Sequence, residues 1–569
     1  MKSRIFFFVL LVISLSSCHF GNDKVDVIVH NAVIYTMDEN NTIEDALAIK
    51  DGIIVAIGPE REIMNQYDAP VVIDGRKRPI YPGFIDGHCH FLAYGLMMFD
   101  ADLTGTNSFA EVLDRVKKYE STRMSEWIIG RGWDQNDWKE SMKLANPDVA
   151  AVPEEELVVP FPDKTILDSL YPNTPVYLTR IDGHAVLVNQ KALDLANINA
   201  STTIQGGMVE VKNGKCTGIL IDRASTLIEN VMPVRTKAEK RKALLAVQEK
   251  CFALGLTTVD DAGMMRSDIE LIKEMQYSGE LKMRIYAMMS DAKGNYDYYL
   301  KNGIDTASKS LTVRSFKFYS DGALGSRGAC LLSPYEDLFV QSGRKEYGIM
   351  LDNASHYAEK AALLKGMGFQ MNTHAIGDSA NRVMLGIYKN VLGGVNDLRW
   401  RIEHAQVVSA NDIDVFGDYS IIPSVQPTHA TSDMPWAWLR LGKARVARAY
   451  IYKDLLNENG LVALGTDFPV EGISPFATFY AAVARKDSKG MPEGGFQMEN
   501  ALSREEAMRG MTIWNAIANF EEKFKGSIEV GKVADMVLVD RDIMKCEEGA
   551  ILGSSVEMLM LGGGVVYSR

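Results

Sequence analysis

Short apolar runs recur between residues 80 and 470, separated by stretches with helical periodicity. The runs are 80–90, Thr257–Asp260, Met283–Met288, Val313–Tyr319, Phe369–His374, Trp400–His404, Ile421–Gln426 and Leu461–Asp467. Continuous apolar runs of about four to eight residues read as strands buried on both faces. Thr236-x-x-Glu239 is a capping box, followed by Leu244, Val247, Cys251 and Leu254 at helical spacing and by Gly255 as a stop. Ser503-x-x-Glu506 opens another helix, expected to run through Trp514. Strands alternating with helices predict an α/β fold, a (β/α)8 TIM barrel spanning 81–524.

The two ends have a different pattern. Residues 24–80 hold β-rich segments, with Lys50-Asp51-Gly52 as a hairpin signal, and residues 525–569 hold three more. Neither end has enough strands to stand alone. Together they predict a small β-sandwich domain beside the barrel. His30 lies in this unit and reads as structural. The connection at 91–255 is too long for a bare loop, and carries Ser108-x-x-Glu111 and an Asn213-Gly214 hairpin signal. It is expected to be a folded insertion over the barrel mouth, where barrel loops vary.

Composition narrows the partners. Hydrophobic residues make up 47% of the chain, ample for a large core. The net charge is −13 and no basic stripe occurs, which argues against nucleic acid. Lys2 and Arg4 precede an apolar run, Ile5–Leu15, too short to span a membrane. Residues 1–18 therefore read as a signal peptide. Leu15-Ser16-Ser17-Cys18 resembles the lipobox of bacterial lipoproteins, which implies cleavage before Cys18 and lipidation of its thiol. The expected location is outside the cytoplasm, on a bacterial membrane, held by lipid alone. The remaining cysteines (89, 216, 251, 330 and 546) are odd in number and scattered, unlike a disulfide framework.

The candidate chemistry sits at strand ends. His88 and His90 flank Cys89, so in a strand they point the same way. Two such imidazoles suit zinc and its neighbours. Lys317 ends the fourth strand, His374 the fifth, His404 the sixth and Asp467 the eighth. In a closed barrel these ends meet at one mouth. His429, after the seventh strand, is placed to reach it, whereas His19 and His356 read as surface groups.

With these residues in view, the chain resembles the amidohydrolase superfamily, and more narrowly its YtcJ-like branch, which includes N-substituted formamide deformylases. The resemblance rests on Gly83–His90, Lys317 with the Asp321–Arg327 loop, His374, Glu403-His404 and Gly465–Pro469. It implies a metal-bearing barrel in which His88, His90, His374, His404 and Asp467 sit on or near one or two divalent ions, zinc expected. Asp467 is then the catalytic acid–base group as well as a ligand. In several branches a strand-four lysine is carbamylated and bridges two metals, and Lys317 matches that position. A salt-bridged lysine beside a single metal is the other reading. The implied activity is hydrolysis of a non-peptide C–N bond in a small-molecule amide. Esterase, lactonase, deacetylase or isomerase chemistry, or non-catalytic binding, are the alternatives. Homo-oligomerisation stays open.

Trp133, in Gly130–Trp138, and His184, in Arg180–Ala185, lie in stretches that resemble that branch and are candidates to line the substrate pocket. Packing of Trp133 in the insertion core and capping of a turn by His184 are the competing roles. Arg327 either binds substrate or closes the strand-four loop.

Overall fold

The computed structural model describes residues 22–121, 126–138 and 160–569. Cys18 and the apolar leader lie outside the described residues.

Eight strands follow one another in parallel: β1 (Phe84–Cys89), β2 (Leu256–Met264), β3 (Arg284–Ser290), β4 (Leu311–Tyr319), β5 (Gln370–Ala375), β6 (Arg401–His404), β7 (Ile422–Val425) and β8 (Ala463–Leu464). Each pairs with the next in parallel register. Residues Asp305–Ser308 add a short antiparallel strand to β4. Helices such as Lys237–Ala253, Ala354–Met367 and Asp378–Leu392 share one apolar core with these strands.

The β8–β1 seam is joined mainly by side chains and loop backbone. The Asp467 N–H donates to the His88 carbonyl at 2.8 Å, and the His90 N–H to the Phe468 carbonyl at 2.8 Å. Asn515 Nδ2 clips the strands together through the carbonyls of Ile85 (2.7 Å) and Leu464 (2.8 Å). Thr466 donates to the Asp86 carboxylate from its backbone (2.9 Å) and its hydroxyl (2.6 Å). Gly465 permits this approach, because a Cβ there would lie 2.5 Å from the His88 nitrogen. The barrel thus closes where the candidate ligands emerge.

The chain ends interleave. Met536–Val539 pairs antiparallel with Pro79–Pro82 inside a six-stranded sheet that takes strands from both ends. This sheet and a four-stranded one, Ile53–Gly58, Ala46–Lys50, Val27–His30 and Val71–Asp74, enclose Val29, Leu47, Ile80, Met536 and Met560. His30 bonds Glu60 there at 2.9 Å.

The insertion has its own six-stranded sheet and its own core. Its Gly207–Lys212 and Lys215–Asp222 strands form the hairpin that Asn213-Gly214 signals. The box at Thr236 forms in full, but the one at Ser108 forms by half. Ser108 accepts from the Glu111 N–H, while Glu111 reaches back to Asn107. The helix opened by Ser503 stops at Gly510, and a second one, Ile513–Ala518, begins after Thr512 leaves helical backbone. Among the described residues, no helix is long and apolar enough to cross a membrane.

Candidate metal centre

Strand alternation accounts for β1. Cys89 turns into the main core, while His88 and His90 approach Asp467 Oδ1, with Nε2 at 3.6 and 3.3 Å. Alternation alone does not account for β6. Arg401 and Glu403 face the barrel interior, and Ile402 packs outwards. His404 would follow Ile402, but its φ is 73°, which turns it back over the mouth. Asp467 also has a positive φ, 62°. Both side chains are therefore aimed by costly left-handed backbone, the kind that clusters at functional sites.

Three imidazoles are held by the same device. Nδ1 of His88 donates to Glu403 at 2.5 Å, Nδ1 of His90 to the Ala262 carbonyl at 2.9 Å, and Nδ1 of His404 to Gln426 at 2.7 Å. Each Nε2 is left as a lone-pair donor, the arrangement that orients metal-bound histidines. Burial pushes the His88, His374 and His404 pKa values down, helped by positive neighbours, so these rings are neutral. Ligand atoms of His88, His404 and Asp467 lie within 4.8 Å of one another. Asp467 Oδ1 is buried and has no hydrogen-bond partner. An unpartnered carboxylate oxygen beside neutral imidazoles is the donor set of a divalent cation.

His374 is close by, its ring 4.6 Å from that of His404, but it is oriented differently. Its Nε2 faces the Gly322 carbonyl (3.4 Å) and Asp321 (3.5 Å), so Nδ1 remains for an ion. Asp321 accepts from the N–H groups of Cys330, Ile376 and Gly377, tying the β4 loop to the end of β5. Lys317 Nζ is 3.1 Å from His88 Nε2. Burial lowers its pKa to about 8, against the pull of Glu403 and Asp467. His429 reaches the centre, its Nε2 3.2 Å from Asp467 Oδ2. Burial would lower its pKa, but the Asp467 bond and the Glu471 charge raise it to about 9. Burial likewise opposes ionisation of Asp467, yet the hydrogen bond from His429 holds its pKa well below the usual range.

The mouth opens into two cavity lobes of about 450 and 490 Å³ that share His90, Asp182, His184, Lys317 and Tyr319. His184 lies on both, bonded to Asp222 at 2.7 Å and with its ring 5.1 Å from that of His374. The other two pocket candidates are elsewhere. Trp133 packs against Trp138 and Phe161 in the insertion core, its indole N–H bonded to the Leu178 carbonyl. A register shift after Arg131, at Gly132 with φ 113°, turns it inwards. Arg327 closes the β4 loop through Asp337, with contacts of 3.2 and 2.8 Å. On the wall of the first lobe the guanidinium is Arg180, braced by Asp134, Gln135 and Asp182.

A model described as "Amidohydrolase family" matches residues 71–567. The putative amidohydrolase YtcJ of Bacillus subtilis is 28% identical over 95% of this chain and 99% of its own. Protein LONG AFTER FAR-RED 3 of Arabidopsis thaliana is 28% identical over 95% and 91%, and N-substituted formamide deformylase of Arthrobacter pascens 24% over 96% and 98%. An uncharacterized metal-dependent hydrolase from Pyrococcus horikoshii superposes with a TM-score of 0.71 at 24% identity, over 92% of this chain and 99% of that one. With the barrel, the convergent histidines and a match over most of its length, the chain belongs to the amidohydrolase family.

Proposed function

We propose that this protein hydrolyses a non-peptide C–N bond in a small amide, using one or two divalent ions, zinc the expected identity. The observation that carries this is the convergence of His88, His90 and His404, each fixed through Nδ1, on the open oxygen of Asp467. The name of the formamide deformylase relative supports the bond type. His88, His90, His374, His404, Asp467 and Lys317 would hold the ions.

A divalent ion bound there supplies Lewis acidity, acidifying a water and polarising the scissile carbonyl. The Asp467 carboxylate takes the attacking water's proton and passes it to the departing amine nitrogen. His429 donates to Oδ2 and keeps that oxygen from rotating into the centre. Lys317, with its pKa near 8, has a neutral amine in reach at physiological pH, which addition of carbon dioxide requires. The resulting carbamate would replace a cation among the ligands by two anionic oxygens.

The test is a panel of formamides, acetamides, esters and lactones on zinc-supplied protein, wild type and Asp467→Asn. Amide cleavage that falls by about 10²- to 10⁴-fold in the variant is expected. Cleavage of esters or lactones alone contradicts the proposed bond type.

A further inference from the structure

The second lobe contains a cation that no carboxylate pairs directly, the Asp182 and Asp467 charges reaching it only from beyond ion-pair distance. Arg131 extends from the Ile128–Trp133 strand into this lobe, beside His90 and Lys317. Its Nη2 donates to the Ile181 carbonyl at 3.0 Å, and its Nε is buried without a partner. Among the described residues no carboxylate lies within ion-pair distance of it. The four carboxylates on the lobe are engaged elsewhere: Asp182 with Arg180, Asp222 with His184, Asp291 with His356 and Asp352 with Arg223. The guanidinium is also held in place. Gly183, at φ 75°, folds over it so closely that a Cβ would lie 3.3 Å from Nη2 and 3.4 Å from Nη1. The register shift that turns Trp133 inwards leaves Arg131 on the opposite face of its sheet.

A part-buried guanidinium with no paired carboxylate favours an anionic ligand, and its planar fork fits a carboxylate. A dianion such as a phosphate is disfavoured by the four surrounding acids. We propose that Arg131 is a substrate-binding residue and that the substrates are amides carrying a single carboxylate, which occupies this second lobe while the amide lies at the metal centre. This rests on the amidohydrolase reading above and adds the substrate class to it.

Two readouts separate this inference from that reading. The first compares N-formyl-4-aminobutanoate with N-formylbutylamine, matched formamides with and without the carboxylate. The wild type is expected to favour the carboxylate by about tenfold or more in kcat/KM, mainly through KM. Arg131→Gln erases the preference and Arg131→Lys keeps part of it. Ser225→Asp, which adds a negative charge on the lobe wall without altering Arg131 itself, also reduces it. The second readout is calorimetric binding of pentanoate to the zinc-supplied protein, which needs no turnover. Affinity is expected to fall by about 10- to 100-fold in Arg131→Gln. Equal pentanoate binding in wild type and Arg131→Gln, or a carboxylate preference absent from wild type or intact in the variant, overturns the inference. Failure to cleave either formamide, with pentanoate binding still dependent on Arg131, overturns only the hydrolase reading.

Discussion

The link between Glu403 and His88 gives the sharpest mutational prediction. Both side chains are fully buried, and Oε2 accepts a hydrogen bond from His88 Nδ1 at 2.5 Å. The other oxygen, Oε1, is buried with no partner. In Glu403→Gln the carbonyl can still accept from Nδ1, but the charge that makes Nε2 a strong donor is gone. The new NH2 also falls where Oε1 lay, as a buried donor without an acceptor, at a cost of about 1–3 kcal/mol. Loss of such a supporting carboxylate typically weakens metal binding by about 10- to 100-fold, or about 1.4–2.7 kcal/mol. Competition against a chromogenic zinc chelator measures this directly, with the melting temperature of the chelated protein as the folding control. Zinc affinity within about twofold of wild type, on a folded variant, would refute the claim that Glu403 positions a ligand.

Two further predictions probe the frame of the site. Asn515→Ala removes the two N–H donors that join the Ile85 and Leu464 carbonyls across the β8–β1 seam. Urea unfolding should show a loss of about 2–5 kcal/mol, and an unchanged midpoint would mean the seam does not depend on this clip. Asp433, bonded to Tyr450 (2.8 Å) and Gln406 (3.1 Å), has its pKa raised to about 7 by burial. A carboxyl raised in the folded state contributes stability at acid pH that is lost as pH rises towards 7. The melting-temperature advantage of Asp433→Asn over wild type should therefore grow from pH 5 to pH 8. An advantage that shrinks over that range would contradict the raised value.

Much of this frame is legible in the chain. All eight barrel strands fall on the apolar runs, because a strand buried on both faces must be apolar throughout. The hairpins at Asp51-Gly52 and Asn213-Gly214 follow from turn chemistry. His88 and His90 follow from the two-residue period. What the pattern does not carry is departure from regularity. Glu403 and His404 are consecutive, so alternation allows only one of them inside. The positive φ of His404 brings both to the centre. For Trp133 the sequence leaves pocket wall and insertion core both open, and the shift at Gly132 decides for the core and leaves Arg131 on the cavity instead. Gln426 acts through His404, 22 residues away in sequence, and no local pattern marks it.

Metal content per chain, by elemental analysis of soluble protein lacking residues 1–18, tests the central claim most directly. Wild type and Lys317→Ala should be purified without chelator and supplied with zinc and bicarbonate. The account predicts one or two ions per chain in wild type, and a site bridged by a Lys317 carbamate requires about two, with a clear fall in the variant. One ion in both would leave a mononuclear centre and remove the bridge. No ion in either, on folded protein, would contradict the metal-dependent account altogether.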